Sequence, residues 1–215
     1  MAIRSLDLGP CPGTLHEGDP GRCVVLLPGM RYGTQAPLLW YARAAAQVQG
    51  WGALEVVDAL PDDEEPFAWA RDRAERALDA VPGAGGTGGA AGAGGDGVAV
   101  VVVGKSLASG AAGVVADREL PAVWLTPLVR EAPVAAGLLR ATAPALLVGG
   151  GADPSWEAGV VPAVAGLEVL ELPGLDHSLE APGDVAASLR ALGTVTDAVA
   201  GFLARPEVSR PRPRP

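Results

Sequence analysis

The segment that most constrains how this chain can fold runs from Val98 to Gly110, Val-Ala-Val-Val-Val-Val-Gly-Lys-Ser-Leu-Ala-Ser-Gly. An unbroken apolar, β-branched run of strand length predicts a strand covered on both faces, as in a parallel sheet. It ends at Gly104, and after Ser106 a small-residue segment takes up helical character. A strand that turns that sharply into a helix pushes the side chain at the hinge out above the sheet edge. Only small neighbours let the backbone bend so tightly, and Gly104 and Ala108 flank Ser106 at two residues on either side. Gly104-Lys105-Ser106 also matches the end of a phosphate-binding G-x-x-x-x-G-K-[ST] loop. That motif needs a glycine where Ala99 stands and a loop where Val100 to Val103 read as strand, so it is rejected. A buried serine at an ordinary strand–helix junction is the plain rival, and the rest of the chain decides between them.

Short apolar strands alternate with helical patterns along the sequence, the mark of βαβ units. Strands are predicted at Cys23–Leu27, Ala53–Leu60, Val98–Val103, Ala122–Leu125, Ala145–Val148 and Glu168–Leu172. Helices are predicted near Pro37–Val48, Glu64–Val81, Ser106–Asp117, Val134–Thr142, Val160–Ala165 and Val185–Leu203, the last with an apolar stripe of Val185, Leu189, Leu192, Val195, Val199 and Phe202. In such a sheet the loops leaving the C-terminal ends of the strands lie along one edge, where ligands bind. Met30 leaves the first of these strands, Ser106 the central one, Asp153 the strand ending at Val148, and His177 the last. Serine, acid and histidine therefore meet on one edge, in that chain order.

The order and the motifs Pro28-Gly29-Met30, Gly104-Lys105-Ser106-Leu107-Ala108, Gly151-Ala152-Asp153-Pro154 and Asp176-His177-Ser178 resemble those of the α/β-hydrolase superfamily. The chain is similar to its small lidless serine hydrolases, such as dienelactone hydrolases and compact esterases, over roughly Cys23 to Leu203. Two departures stand out. Ala108 replaces the last glycine of the G-x-S-x-G elbow, and Pro28 stands where many relatives carry a histidine. The resemblance implies a single-domain α/β three-layer sandwich with a mostly parallel sheet of about six or seven strands and no lid domain. It also implies a serine hydrolase cleaving a carboxylic ester or related acyl bond through an acyl-serine. Ser106 would be the nucleophile, His177 the base and Asp153 the group that orients it, with the backbone N–H groups of Met30 and Leu107 as the oxyanion hole.

Each role has a competitor in the sequence. Asp153 precedes a proline and could be a turn residue, with Glu131 as the alternative acid. Asp176, next to the histidine, cannot easily reach back to it. His16 lies in a Gly/Pro-rich stretch before the first of the predicted strands and reads as a solvated loop residue. The chain has 15 arginines and one lysine, and that lysine, Lys105, precedes the serine. Its ammonium could bond loop carbonyls or favour an anionic substrate, or the position could simply accept many residue types. Lys105 and Trp156 are the candidate substrate-binding side chains, with Trp124 and Thr126 to Leu128 flanking the same edge.

Composition narrows the classes. At 215 residues and 49% hydrophobic, the chain suits one well-buried α/β domain over 1–204. Residues 82–97, nearly all glycine and alanine, read as a flexible loop, and 205–215 as a disordered Pro/Arg tail. A net charge of −9 argues against nucleic acid and anionic membrane partners. No segment is long and apolar enough to span a membrane, and two cysteines suggest no disulfide framework, so a cytoplasmic protein acting on a small acyl substrate, without cofactor or metal, is expected. The competing reading is a non-catalytic binding or scaffolding module of the same fold. Only Pro127 to Pro133 stand where larger hydrolases insert a lid, which predicts an open, shallow site. Residues 1–22 are expected to hold one strand at most, near Ile3 to Leu8.

Overall fold

The computed structural model describes residues 2–57, 60–61, 63–81, 97–157, 159 and 166–210. Eight strands form one sheet: β1 (Ile3–Asp7), β2 (Pro12–His16), β3 (Asp19–Leu27), β4 (Trp51–Val56), β5 (Ala99–Lys105), β6 (Ala122–Leu125), β7 (Ala145–Gly150) and β8 (Leu167–Leu172). Their order across the sheet is β1-β2-β4-β3-β5-β6-β7-β8, with β1–β2 and β2–β4 antiparallel and every later pair parallel. The helices are α1 (Pro37–Val48), α2 (Pro66–Ala80), α3 (Ala112–Asp117), α4 (Ala132–Arg140), α5 (Val185–Leu203) and α6 (Pro206–Ser209), and a 3₁₀ segment, Ser106–Ala111, joins β5 to α3.

The sheet has apolar packing on both faces, as the valine run of β5 requires. Val100 and Val102 pack with Ala74 and Leu78 of α2, Val115 of α3 and Leu138 of α4. Val101 and Val103 face Leu39 of α1 and Val195, Val199 and Phe202 of α5. Each such side chain, taken fully out of water, contributes about 1.5–3 kcal/mol. The chain goes from β3 outward to β4, then returns to lay β5 against the other side of β3. The loops leaving β3 and β5 therefore diverge to opposite sides of the sheet, which opens a crevice at this switch point.

The sheet has one or two strands more than expected, because residues 2–22 hold both β1 and β2. Pro12 and Gly13 hid β2, since neither favours a strand interior; Pro12 is tolerated at the first position of the strand. His16 is accordingly no solvated loop residue. It is 6% exposed on β2, and its Nε2 donates to Glu55 Oε2 at 2.8 Å. Gln35 also donates to that carboxylate, and Arg43 Nε lies 3.2 Å from it. The apolar stripe of α5 differs from the expected one at its start. Ala191, Val195, Val199, Phe202 and Leu203 are buried, whereas Val185 and Leu189 are exposed. Residues 206–209, expected in a disordered tail, form the turn α6, which buries Val208 against the α1–α5 face of the sheet. The helix expected at 160–165, the loop at 82–96 and the tail at 211–215 lie outside the described residues. No helix among the described residues is long and apolar enough to cross a membrane.

Candidate active site

Ser106 sits where β5 ends and the 3₁₀ segment begins, with φ of +53°. Side chains rarely take this left-handed conformation, and it costs about 1–2 kcal/mol. The bend is possible because Gly104 has no side chain. A Cβ there would stand 2.6 Å from the Trp124 ring and 3.1 Å from the methyl of Ala108. Trp124 thus lies in the core beneath the elbow and not in a pocket wall. The same geometry explains how the elbow tolerates alanine at position 108: the methyl occupies room that Gly104 leaves. Ser109 fastens the turn, its hydroxyl donating to the Ser106 carbonyl at 2.7 Å and accepting from the Leu128 N–H at 3.0 Å. The sequence offered no signal for that bond beyond a hydroxyl in an apolar segment.

The loops after β7 and β8 are laced together. Gly151 N–H donates to Leu172 O and Ala152 N–H to Leu175 O, both at 2.9 Å. The Leu175 carbonyl lies where a Cβ on Gly150 would be, so the two loops can approach this closely only with glycine there. This lacing brings Asp153 and His177 together, with Asp153 Oδ2 2.6 Å from His177 Nδ1. On the other side of the ring, His177 Nε2 lies 2.7 Å from Ser106 Oγ. A carboxylate only accepts hydrogen bonds, so Nδ1 carries the ring proton and Nε2 is left to accept from the hydroxyl. The Asp153 side chain is wholly buried, and its other oxygen accepts the Ser155 N–H at 2.8 Å. Asp176 is occupied elsewhere, accepting from the N–H groups of Ser178 and Glu180. Glu131 is an exposed residue at the start of α4.

The turn after β3 is closed by two bonds, Gly29 N–H to Tyr32 O at 2.9 Å and Tyr32 N–H to Gly29 O at 3.2 Å, leaving Met30 and Arg31 at its tip. It rests on the elbow: a Cβ on Gly29 would come 3.3 Å from that of Ser106. Met30 has its side chain half exposed, while Leu107 packs inward on Trp69 and Ala70. Trp156 is buried in the core, its ring against the backbone of Gly149 and its Nε1 donating to Glu171 Oε2 at 2.9 Å. Lys105 is 2% exposed, and its Nζ donates to Thr126 Oγ1 at 2.6 Å and to the carbonyl of His177 at 2.9 Å. Burial pulls its pKa down from 10.5 to about 8, against an opposing pull from Asp153 and Asp176. Among the described residues no group of three His, Cys, Asp or Glu side chains is placed to hold a metal ion.

No family model matches the chain, and no curated protein matches its sequence. Solved structures do match. Dienelactone hydrolase from Anabaena variabilis aligns over 94% of this chain and 95% of its own at 18% identity, with a TM-score of 0.66. Est1E from Butyrivibrio proteoclasticus, with ferulic acid bound, covers 93% and 97% at 14% identity and a TM-score of 0.68. An α/β serine hydrolase without a lid from Xanthomonas campestris covers 94% and 93% at 13% identity and a TM-score of 0.65. The fold is that of the lidless α/β hydrolases.

Proposed function

We propose that this chain is a serine hydrolase that cleaves a carboxylic ester or related acyl bond through an acyl-serine intermediate. The observation that carries this reading is the unbroken bonded relay from Ser106 through His177 to Asp153, at 2.7 and 2.6 Å, starting from a serine held in a strained elbow. The names of its structural neighbours, a dienelactone hydrolase and a lidless serine hydrolase among them, support the reading.

As the Ser106 oxygen attacks the acyl carbon, its proton passes to His177 Nε2, and Asp153 steadies the imidazolium from the other side. The carbonyl oxygen becomes an anion. The Leu107 N–H, among the first donors of a helical segment and lacking an intrahelical acceptor, supplies one bond to it. Met30 N–H, at the tip of the turn that rests on the elbow, supplies the second. The imidazolium then returns its proton to the departing alkoxide, leaving an acyl-serine and an alcohol. Water, activated by the same base, releases the acid and restores the hydroxyl. With only Thr126–Glu131 between β6 and α4, the site suits small or exposed acyl groups better than long buried chains. Cys11 and Cys23, both buried and neither in a disulfide, are consistent with a reducing cytoplasm.

A fluorophosphonate probe provides the test. Wild type should become covalently labelled near neutral pH and Ser106→Ala should not. A wild type that stays unlabelled and hydrolyses neither p-nitrophenyl acetate nor a thioester would favour the binding-module reading.

A further inference from the structure

We infer that Lys105 is a positioning residue, the one side chain among the described residues that ties the backbone of the histidine to the elbow of the serine. The inference rests on the hydrolytic reading of Ser106. An ammonium has three donors. One is spent on Thr126 Oγ1, in the loop after β6, and one on the carbonyl of His177, in the loop after β8. On a third side stands the ring of Tyr32, its centre 5.1 Å from Nζ, at the end of the turn after β3. The stem of Lys105 lies under the same turn, since a Cβ on Gly29 would meet its Cγ at 3.4 Å and its carbonyl at 2.9 Å. Three loops along the site's edge therefore converge on one side chain, which itself adjoins Ser106.

With two donors bonded, the Tyr32 ring on its third side and its surface buried, Lys105 is engaged by the protein itself and not by a substrate. Its charge strengthens both bonds, because an ionised donor makes hydrogen bonds roughly twice as strong as a neutral one. The His177 loop, Pro173–Asp184, has no strand or helix of its own to hold it. It is tied to the loop after β7, to Leu172 of β8 and to Ser188 of α5, and it buries Leu175 and Leu179 in the core. Among the described residues, none of these bonds is made by the backbone of His177 itself. The bond from Nζ sets how far the imidazole stands from the hydroxyl, a distance over which an error of about 1 Å can cost some 100-fold in rate.

Lys105→Met keeps the stem and removes both bonds. Thr126→Val removes one acceptor, and Thr126→Ser keeps it. All three are compared with wild type in p-nitrophenyl acetate hydrolysis, in fluorophosphonate labelling rate, and in the far-downfield proton resonance of the His177–Asp153 hydrogen bond. Lys105→Met should lose about 100-fold in kcat and in labelling rate while KM stays within a factor of two. Its downfield resonance should broaden or vanish. Thr126→Val should lose activity in the same sense, by a smaller factor, and Thr126→Ser should behave as wild type. A rise in KM with labelling unchanged would mean that Lys105 meets the substrate, and would overturn the inference. So would a fall in melting temperature with kcat and resonance intact, the sign of a purely structural lysine. Should Lys105→Met fail to fold, Thr126→Val carries the test, and unaltered kcat and resonance in that variant overturn it. If wild type itself is inert, the hydrolytic reading fails separately. The resonance then decides the positioning role, its loss in Lys105→Met supporting it and its persistence refuting it.

Discussion

Replacing Ser106 by glycine should leave a more stable protein than replacing it by alanine, the reverse of the usual order of these residues. Both substitutions remove the hydroxyl and its bond to His177, so the comparison isolates the backbone. Ser106 holds φ at +53°, where a Cβ costs about 1–2 kcal/mol. Glycine escapes that cost but brings a looser unfolded chain, worth about 0.5–1 kcal/mol against it. At the middle of both ranges the balance favours Ser106→Gly by about 0.75 kcal/mol. Two residues on, Ala108 lies outside the left-handed region and packs its methyl in the core, so Ala108→Gly should destabilise by about 1–2 kcal/mol. For a chain of this size 1 kcal/mol moves the melting temperature by about 2–4 °C, so urea unfolding at constant m is the better assay. If Ser106→Gly proves weaker than Ser106→Ala by as much as Ala108→Gly falls below wild type, the elbow is not strained and the argument fails.

Asp153→Asn should keep the fold but lower kcat/KM by roughly 10³–10⁴-fold, since an amide can hold the wrong imidazole tautomer; ester hydrolysis near neutral pH checks this, and a loss under tenfold would point to another acid. Gly104→Ala should cost about 1–3 kcal/mol, because the new methyl meets the Trp124 ring at 2.6 Å, and unfolding in urea would reveal an unaltered midpoint if the ring can swing aside. Lys105 predicts an unusual pH dependence. Its pKa is about 8 when folded against an ordinary 10.5, so below pH 8 both states carry the proton and the burial penalty is full. Between about pH 8 and 10.5 only the unfolded chain holds that proton, so this group makes stability rise with pH, by about 3 kcal/mol in all. The difference in unfolding free energy between wild type and Lys105→Met should therefore grow across that window, and a flat difference would contradict it.

The parallel half of the sheet was legible because its strands are continuous apolar runs, which need both faces covered whatever surrounds them. β6 and the helices at Pro37–Val48 and Val185–Leu203 lie where the patterning placed them. Ser106, Asp153 and His177 were legible for a topological reason: each follows a parallel strand, and parallel strands deliver their loops to one edge. What escaped was whatever depended on partners far along the chain. His16 reads as polar and loop-like until Glu55, on another strand, supplies its bond. Trp156 reads as a pocket aromatic until the bare backbone of Gly149 gives its ring a slot in the core. Lys105 kept two readings open because nothing local distinguishes a carbonyl in the His177 loop from a substrate carboxylate. Val185 and Leu189 fit the helical period of α5, but the first turns of that helix project beyond the apolar face on which its later residues pack.

The contact between His16 and Glu55 has a consequence for how the outer hairpin finds its alignment. Leu15 stands opposite Leu54 and His16 opposite Ala53, so the two β2 side chains point to opposite faces of the sheet. Sliding β2 by one residue would turn the imidazole toward the oily side shared by Leu54 and Val56 and leave Glu55 short of a donor in the dry interior. A misaligned pairing of apolar residues alone would lose only packing, whereas this one buries an unpaired imidazole and takes one partner from a buried carboxylate that keeps Gln35 and Arg43, a steeper penalty. Those two side chains act as a key in a keyway, admitting the β1–β2 hairpin to the sheet in one alignment out of the several that its weak β-forming sequence would otherwise allow.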